Sequence, residues 1–370
     1  MTRTHIDLVL LTREAMGASG HIVLGIDGIV DEVYEVVDHA SIDSRGVELV
    51  TQFARFGELI VERGTGGLSK EILQKRQVSG GFSANTGRTL GALAVETTLV
   101  GTFGSAPQDP AFGDLTSTCS LFSVGDPSRC HILEFLDGKL MLVDLNGNRA
   151  FDWERLAAAC DKAGLFPVLG RADVLGLGYW SNFDNFDQIV TNLIRSLPDD
   201  RLQRLFFDFG NVTKKTTEAL RDTAARMAAW NKSVPVTLSL NDHEGRFLLR
   251  CLDIDFGMEH GSVVPAWDEL ARVIAIDELI LHTEDYAVIA SAGAETVLVP
   301  QHHVQCPVRT AGAGDTFNGG YIFSLLTAMR AQERLLVANA AAHFYVTNGR
   351  PPSREELVRE AAVVSGGSDV

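Results

Sequence analysis

TAGAGDTFNGG, residues 310–320, places three small residues, Gly312, Ala313 and Gly314, directly ahead of Asp315, and an apolar run follows as far as residue 329. A run of that length and composition predicts a helix beginning at the glycines. The first turn of a helix leaves several N–H groups without intrahelical partners, and the helix dipole adds partial positive charge there. Glycine lets a backbone come close to a ligand and adopt positive φ. Together these features make an anion site of the kind that holds phosphate. Asp315 sits at its rim, where a carboxylate can take the proton of an attacking hydroxyl while a phosphoryl group moves. Taken alone, the same stretch also reads as a capped helix, with glycine for packing and Asp315 as the cap. The surrounding sequence has to decide between the two.

Upstream, from residue 172 onward, strand-length apolar runs (ADVLGLGYW, RLFFDFG, PVTLSLN, ELILHT) alternate with helix-length amphipathic runs (FDQIVTNLIRSL, TTEALRDTAARMAAW, DHEGRFLLRCL). Strands joined by crossover helices predict a mostly parallel sheet with helices on both faces. HIVLGID near residue 21 and TTLVGTFG near residue 97 add two strands to it. Two segments break the alternation, residues 29–38 (IVDEVYEVVD) and 131–144 (HILEFLDGKLMLVD). In the second, two strand-like runs flank Asp137-Gly138, a hairpin signal. Both segments are expected as exposed antiparallel strands outside the main sheet, forming a small β-sheet lid. The chain is thus expected as a short N-terminal extension, residues 1–20, followed by one α/β domain over residues 21–370, with lid strands from about 29–38 and 129–144. The C-terminal part reads as helical, its last helix opening on a capping box, Ser353 with Glu356. The tail SGGSDV is expected to fray.

Composition narrows the function. With 32 basic and 48 acidic residues the net charge is -16, and no basic run is present. A nucleic-acid binder needs clustered Lys and Arg to replace phosphate counterions, so no nucleic-acid partner is expected. Five cysteines at wide spacings, with no C-x-x-C, fit reduced thiols better than a zinc site or a disulfide framework. No apolar stretch reaches membrane-span length, and the N-terminal segment is a poor secretory signal, so a cytoplasmic protein is expected.

TAGAGDTFNGG resembles the C-terminal signature of the PfkB/ribokinase-like carbohydrate kinases. GGFSANTGRTLGALAVETTLVGTFG, residues 80–104, is similar to that family's N-terminal signature, and NDHE, residues 241–244, matches its Asn-x-x-Glu element. The three occur in the family's order and spacing, and the resemblance covers roughly residues 21–360. It implies a ribokinase-like fold: a mostly parallel central sheet with helices on both faces and a small β-sheet lid. It also implies an ATP- and Mg-dependent transfer of the γ-phosphate to a hydroxyl of a sugar or sugar-like substrate.

Residue by residue, the resemblance makes Asp315 the base and the backbone of Gly312, Ala313 and Gly314 the anion hole. Asn241 and Glu244 would organise Mg²⁺, Glu244 through water; hard oxygen ligands suit that ion. Read without the family, the same pair is a helix cap with a first-turn acid. Gly80, Gly81 and Asn85 align with residues that contact substrate hydroxyls. Asp27 and Asp31, in GIDGIVDE, resemble the paired polar residues that hold a sugar at the edge where open α/β sheets bind ligands. Asn339 matches a residue lining the nucleotide base pocket; an Asn among alanines also reads as a helix-packing hydrogen bond.

Departures are equally legible. Arg309-Thr310 stands where many members have Asp-Thr, which puts monovalent-cation activation in doubt. The turn HTEDYAVIA, residues 282–290, lacks the usual glycine. Arg129 and His131 suggest a basic pair facing a phosphorylated or acidic sugar, or else a polar lid edge. The lid's exposed apolar strands are expected to pair two copies of the chain. A G-x-G-x-x-G after the first strand is absent, and GTGGLSK at residues 64–70 lacks phosphate-loop spacing. Two alternatives stay open: a catalytically weak ligand-binding or regulatory member of the same fold, and a nucleoside kinase.

Overall fold

The computed structural model describes residues 8–40, 46–144, 146–149, 151–197, 202–254 and 260–366. The described strands, in chain order, are β1 (His21–Ile26), β2 (Ile29–Ala40), β3 (Val47–Leu49), β4 (Ile72–Gly80), β5 (Glu96–Gly101), β6 (Ser120–Ser123), β7 (Ser128–Glu134), β8 (Lys139–Asp144), β9 (Val174–Gly178), β10 (Arg204–Asp208), β11 (Val236–Asn241), β12 (Glu278–His282), β13 (Tyr286–Ser291) and β14 (Val297–Pro300). Nine of them form one sheet in the order β14-β13-β12-β11-β10-β9-β1-β5-β6. It is parallel from β12 to β6; at the other edge β13 pairs antiparallel with both β12 and β14, so that β13 alone runs against the rest.

The apolar runs read from the sequence are the central strands of this sheet, because both of its faces are covered. Side chains alternate across it: Val23 packs in one core with Leu205, Phe207 and Leu238, whereas Ile22, Leu24, Phe206 and Ile280 pack in the other with Phe317 and Tyr321. A strand buried on both faces needs apolar residues at every position, which is why these runs show no polar alternation.

The second sheet has five strands, in the order β3-β2-β7-β8, with β4 also paired to β2. The hairpin at Asp137-Gly138 forms: Phe135 N donates to Gly138 O (2.9 Å), and β7 and β8 pair from Glu134↔Lys139 to Arg129↔Asp144. The expectation for residues 29–38 needs correction. β2 pairs with β7 in parallel, and its long antiparallel partner is β4. β4 did not read as a strand because LQKRQ is polar and exposed along most of its length. The lid also carries the helix Phe53–Arg63, which buries none of its residues.

The segment before β1 holds a helix, Leu8–Gly17, with Leu11 and Ala15 buried. Arg354, on the last helix, ties it down by donating to Met16 O (3.3 Å). Residues 1–7 of the expected extension and residues 367–370 of the tail lie outside the described residues. All five cysteines are free, and only Cys306 is exposed. Among the described residues no helix is long and apolar enough to cross a membrane.

Candidate active site

The parallel strands end together along one edge of the main sheet. Five polar side chains stand at or just beyond those ends: Asp27 after β1, Tyr179 after β9, Asp208 closing β10, Asn241 closing β11 and His282 closing β12. The helix Ala313–Ser324 brings Asp315 to the same edge. Its N-cap, Gly312, has φ +92°, a left-handed conformation that favours glycine. A Cβ there would lie 2.8 Å from Tyr345 Oη. Tyr345 Oη in turn donates to Ala311 O (2.7 Å), which fixes the turn leading into the helix.

Asp315 is buried, yet its carboxylate is fully engaged. Tyr179 Oη donates to Oδ1 (2.8 Å) and to Oδ2 (3.0 Å), and Asn85 Nδ2 donates to Oδ2 (2.8 Å). Burial, reinforced by the neighbouring Asp208, pushes its pKa up to about 8, against the lowering effect of those hydrogen bonds. A raised pKa makes the carboxylate a stronger base once ionised. Asp208, pushed up to about 6 by burial, is held by Asn318 Nδ2 (2.7 Å) and Gly210 N (2.8 Å). Tyr179 is shifted well above its ordinary value, chiefly by burial, and therefore stays a donor.

On the lid side, Gly80 and Gly81 make a corner into the helix Phe82–Ala92. A Cβ on Gly80 would lie 2.5 Å from Asp31 Oδ2, and one on Gly81 only 2.2 Å from Asp27 Oδ2. Asp31 is partly buried against this corner. Burial raises its pKa, while Lys139 and Arg309 oppose the shift. Asp27 behaves differently from the sequence reading. It is completely buried, and its oxygens accept from Phe82 N (2.8 Å), Ser83 N (2.9 Å) and Ser83 Oγ (2.5 Å). It caps the helix, which reaches Asp315 through Asn85.

On the opposite side lies a cavity of about 490 Å³, lined by Asn241, His243, His282, Ala313, Gly314 and Phe317 among others. That is an ordinary size for a small-molecule site. Its floor is rigid. His282 stacks on Phe317 (4.7 Å between centroids), and burial holds it neutral with a pKa lowered to about 4. Asn241 and Glu244 form a reciprocal capping box, Asn241 Oδ1 accepting from Glu244 N and Glu244 Oε2 from Asn241 N, both at 3.0 Å. The structural reading of that pair is therefore realised. Glu244 remains buried beside Asp208, and burial raises its pKa well above the usual range. Asn339 does not line the cavity. Its amide donates to Pro300 O (3.3 Å), and residues one or two turns on, Ala342, His343 and Val346, form the wall. The glycine-free turn after β12 is closed by Thr283, whose Oγ1 accepts from Asp285 N and Tyr286 N. A larger cleft, about 640 Å³ between Trp180 and Arg226, contains none of these side chains.

Among the described residues no group of three His, Cys, Asp or Glu side chains is arranged to hold an ion directly. What the edge offers is a wall of buried carboxylates, Asp208, Glu244 and Asp315, whose pKa values are raised first by burial, with the charge of Asp208 adding to the shifts of Glu244 and Asp315. Hard oxygens with excess negative charge fit a hydrated divalent cation.

Sequence reasoning missed Tyr179, Asp208, Arg88 and Tyr345. Arg88 orients the site by donating to Asn85 Oδ1 (3.1 Å), Ser79 Oγ (2.6 Å) and Asp114 Oδ2 (2.7 Å). Asp208 was within reach, because an acid at the C-terminal end of a buried strand is the signal that had singled out Asp27. Of the two readings of Arg129 and His131, a basic pair facing the sugar and a polar lid edge, the contacts favour the second. They face away from Asp31 and pair with Glu32, Arg129 also with Asp109 (2.9 Å). They are the polar lid face.

A family model described as prokaryotic ketohexokinase matches residues 3–363 of the chain. The chain belongs to the prokaryotic ketohexokinase family. The ketohexokinase of Haloferax volcanii is 28% identical over 351 residues, spanning 91% of this chain and 90% of that protein. Membership makes the chain a carbohydrate kinase, a phosphotransferase with an alcohol group as acceptor. The fold is that of the ribokinases. Thermotoga maritima ribokinase superposes with a TM-score of 0.63 at 16% identity, covering 93% of this chain and 99% of that one. Arabidopsis thaliana ribokinase, solved with ribose and ATP, gives 0.59 at 14% identity, covering 93% and 99%. Three motifs read from the sequence, Asp315 with its glycines, Asn241 with Glu244, and Gly80-Gly81 with Asn85, thus meet at one edge of a ketohexokinase-family fold.

Proposed function

We propose that this protein transfers the γ-phosphoryl group of ATP to a hydroxyl of a ketohexose such as D-fructose, with Asp315 as the base. The observation that carries the reading is the position of Asp315. It stands between a glycine-opened helix N-terminus beside one cavity and a glycine corner under the lid, with Asn85 and Tyr179 aiming its carboxylate. The hydroxyl gives its proton to Asp315 as its oxygen bonds to phosphorus, and the N–H groups of Gly312 and Gly314 receive the charge on the phosphoryl oxygens, that of Ala313 already donating to Thr310 O (3.1 Å). ATP occupies the cavity bounded by Asn241, His282 and Phe317, its triphosphate leading toward Gly314. Asp31, Gly80, Gly81 and Asn85 hold the acceptor, and Asp27 acts by fixing the corner beneath it. Glu244 and Asn241, with Asp208, hold Mg²⁺ through water, and the ion supplies charge neutralisation for the triphosphate.

The test is ADP release by the purified protein with ATP and Mg²⁺ against D-fructose, other ketohexoses, ribose, sugar phosphates and nucleosides. D-fructose or another ketohexose is expected to exceed ribose and inosine in kcat/KM by at least about 10-fold, the range a few lost hydrogen bonds command. A nucleoside as best acceptor, or no acceptor above background, would overturn the reading.

We also propose that the lid pairs two copies of the chain. Ile72, Leu73, Leu136, Met141 and Leu142 are exposed on it, as are Phe53, Ile60 and Val61 of its helix. Exposed apolar side chains in this number on a small sheet and its helix point to an association site. Light scattering at micromolar concentration is expected to give the dimer mass, and Leu142→Glu the monomer mass. A monomeric parent protein would dismiss the idea.

A further inference from the structure

The proposed phosphoryl-transfer site is crowded with acids and has to receive a polyanion. Asp27, Asp31, Asp208, Glu244 and Asp315 all have raised pKa values, burial being the first cause in each. The helix N-terminus offers only partial charges. A full positive charge from the protein is therefore worth locating. Most nearby cations are already committed. Arg88 is spent on Asp114, Ser79 and Asn85, and Arg129 on Glu32 and Asp109. Lys214 is held by Asn182 Oδ1 (2.7 Å) on the loop after β9, and Lys139 rides on the exposed start of β8.

Arg309 is different. It lies three residues before Gly312, and its N–H donates to Val346 O (3.3 Å). Its guanidinium carbon sits 5.5 Å from the centroid of the Tyr345 ring. Tyr345 is the residue whose hydroxyl holds Ala311 O and fills the space against Gly312, and a Cβ on Gly312 would also come within 3.9 Å of Asn85 Cγ. Arg309 is therefore fastened, through one aromatic ring, to the turn that opens the anion site and to the neighbourhood of Asp315. Among the described residues no carboxylate forms an ion pair with it, and its side chain is exposed. Its charge is felt at Tyr345, together with those of Asp315 and Arg88, and on the acceptor side at Asp31. A guanidinium stacked on an aromatic face keeps its N–H donors free at the edge, in the planar array that matches phosphate oxygens.

We propose that Arg309 is a catalytic residue of this enzyme, binding the phosphoryl group as it passes from nucleotide to acceptor. The proposal rests on the kinase reading above. In the step, the acceptor oxygen bonds to the γ-phosphorus and the bond from that phosphorus to the bridging oxygen breaks, its electron pair leaving with ADP. The hydroxyl proton goes to Asp315. Arg309 makes and breaks no covalent bond; it donates hydrogen bonds to the equatorial oxygens, whose charge the five carboxylates would otherwise repel.

The experiment compares wild type, Arg309→Met and Arg309→Lys on the best acceptor. Arg309→Met is expected to lower kcat by about 10²- to 10³-fold, as removal of a transition-state donor does, with the sugar KM within about threefold. Arg309→Lys, which keeps the charge but loses the fork, is expected to fall between. Calorimetry supplies a second reading: Arg309→Met should bind Mg-ADP nearly as wild type but lose most of the extra affinity gained with aluminium fluoride, a mimic of the phosphoryl in flight. A kcat within twofold of wild type, or a raised sugar KM at unchanged kcat, would overturn the proposal, the latter moving Arg309 to the acceptor. An inactive wild type would instead strike the kinase reading itself, so the two failures are separable.

Discussion

Asp315→Asn is expected to reduce kcat by about 10³-fold, within the range a positioned general base contributes, while Mg-ADP affinity stays within about threefold. The substitution keeps the size of the side chain; with its oxygen toward Asn85 Nδ2 it can still accept there, while its new NH2 donates to the Tyr179 hydroxyl, and the ability to accept a proton is lost. The pH dependence follows from the buried position. With a pKa pushed up to about 8 in the free enzyme, Asp315 is mostly protonated at neutrality. The kcat/KM of the wild type should therefore rise with pH until it levels off near about 8, and the residual activity of the variant should lack that limb. Stability moves the opposite way. The folded pKa lies far above the unfolded value of about 3.9, so the folded protein holds a proton that the unfolded chain releases. That contribution is intact below about pH 4 and is lost as pH rises toward about 8. Because Asn carries no such proton, ligand-free Asp315→Asn should melt higher than wild type at pH 8, and the gap should narrow at pH 5. A variant that melts lower at pH 8, or retains turnover, would remove Asp315 from the role of base.

The same burial explains what was legible in the sequence and what was not. The central strands announced themselves because a sheet covered on both faces needs unbroken apolar runs, and Leu205, Phe206 and Phe207 serve both cores at once. The glycine-opened helix announced itself because no other residue fits Gly312. The lid was only half visible. Residues 131–144 carried a turn signal, whereas β4 is a two-sided polar strand whose pattern resembles a loop. Facing could not be read either. Asp31 and Arg129 stand on opposite faces of the lid because β2 and β7 run parallel in the register Asp31↔Cys130, which nothing local encodes. Tyr179 and Tyr345 were invisible for another reason: each acts through a contact with a residue more than 30 positions away, to Asp315 and Ala311 respectively. Capping residues were ambiguous by nature. Asn241 and Glu244 satisfy a helix start and border the cavity together, so one pattern served two readings.

Gly81→Ala should be strongly damaging at the acceptor side. Two costs are involved, and they can be separated. Gly81 has φ +90°, where an L side chain is strained by about 1–3 kcal/mol. The new Cβ would also stand 2.2 Å from Asp27 Oδ2, far inside contact distance. Asp27 has nowhere to retreat, being wholly buried and bound to Phe82 N, Ser83 N and Ser83 Oγ. The helix Phe82–Ala92 must therefore shift or lose its cap, a further cost of about 1–2 kcal/mol. Asn85 N donates to Gly81 O (3.0 Å), so the shift is passed to Asn85 and from its Nδ2 to Asp315. The expected result is a loss of about 10²-fold or more in kcat/KM, since small misplacements of a reacting group cost that much, with a clearly lower melting temperature. Gly293→Ala is the control. It has φ +74° with nothing within 4 Å of the added Cβ, so it carries backbone strain alone. It should lose stability and keep full activity. If the two variants lose the same stability and Gly81→Ala turns over normally, the glycine corner does not couple the lid to Asp315.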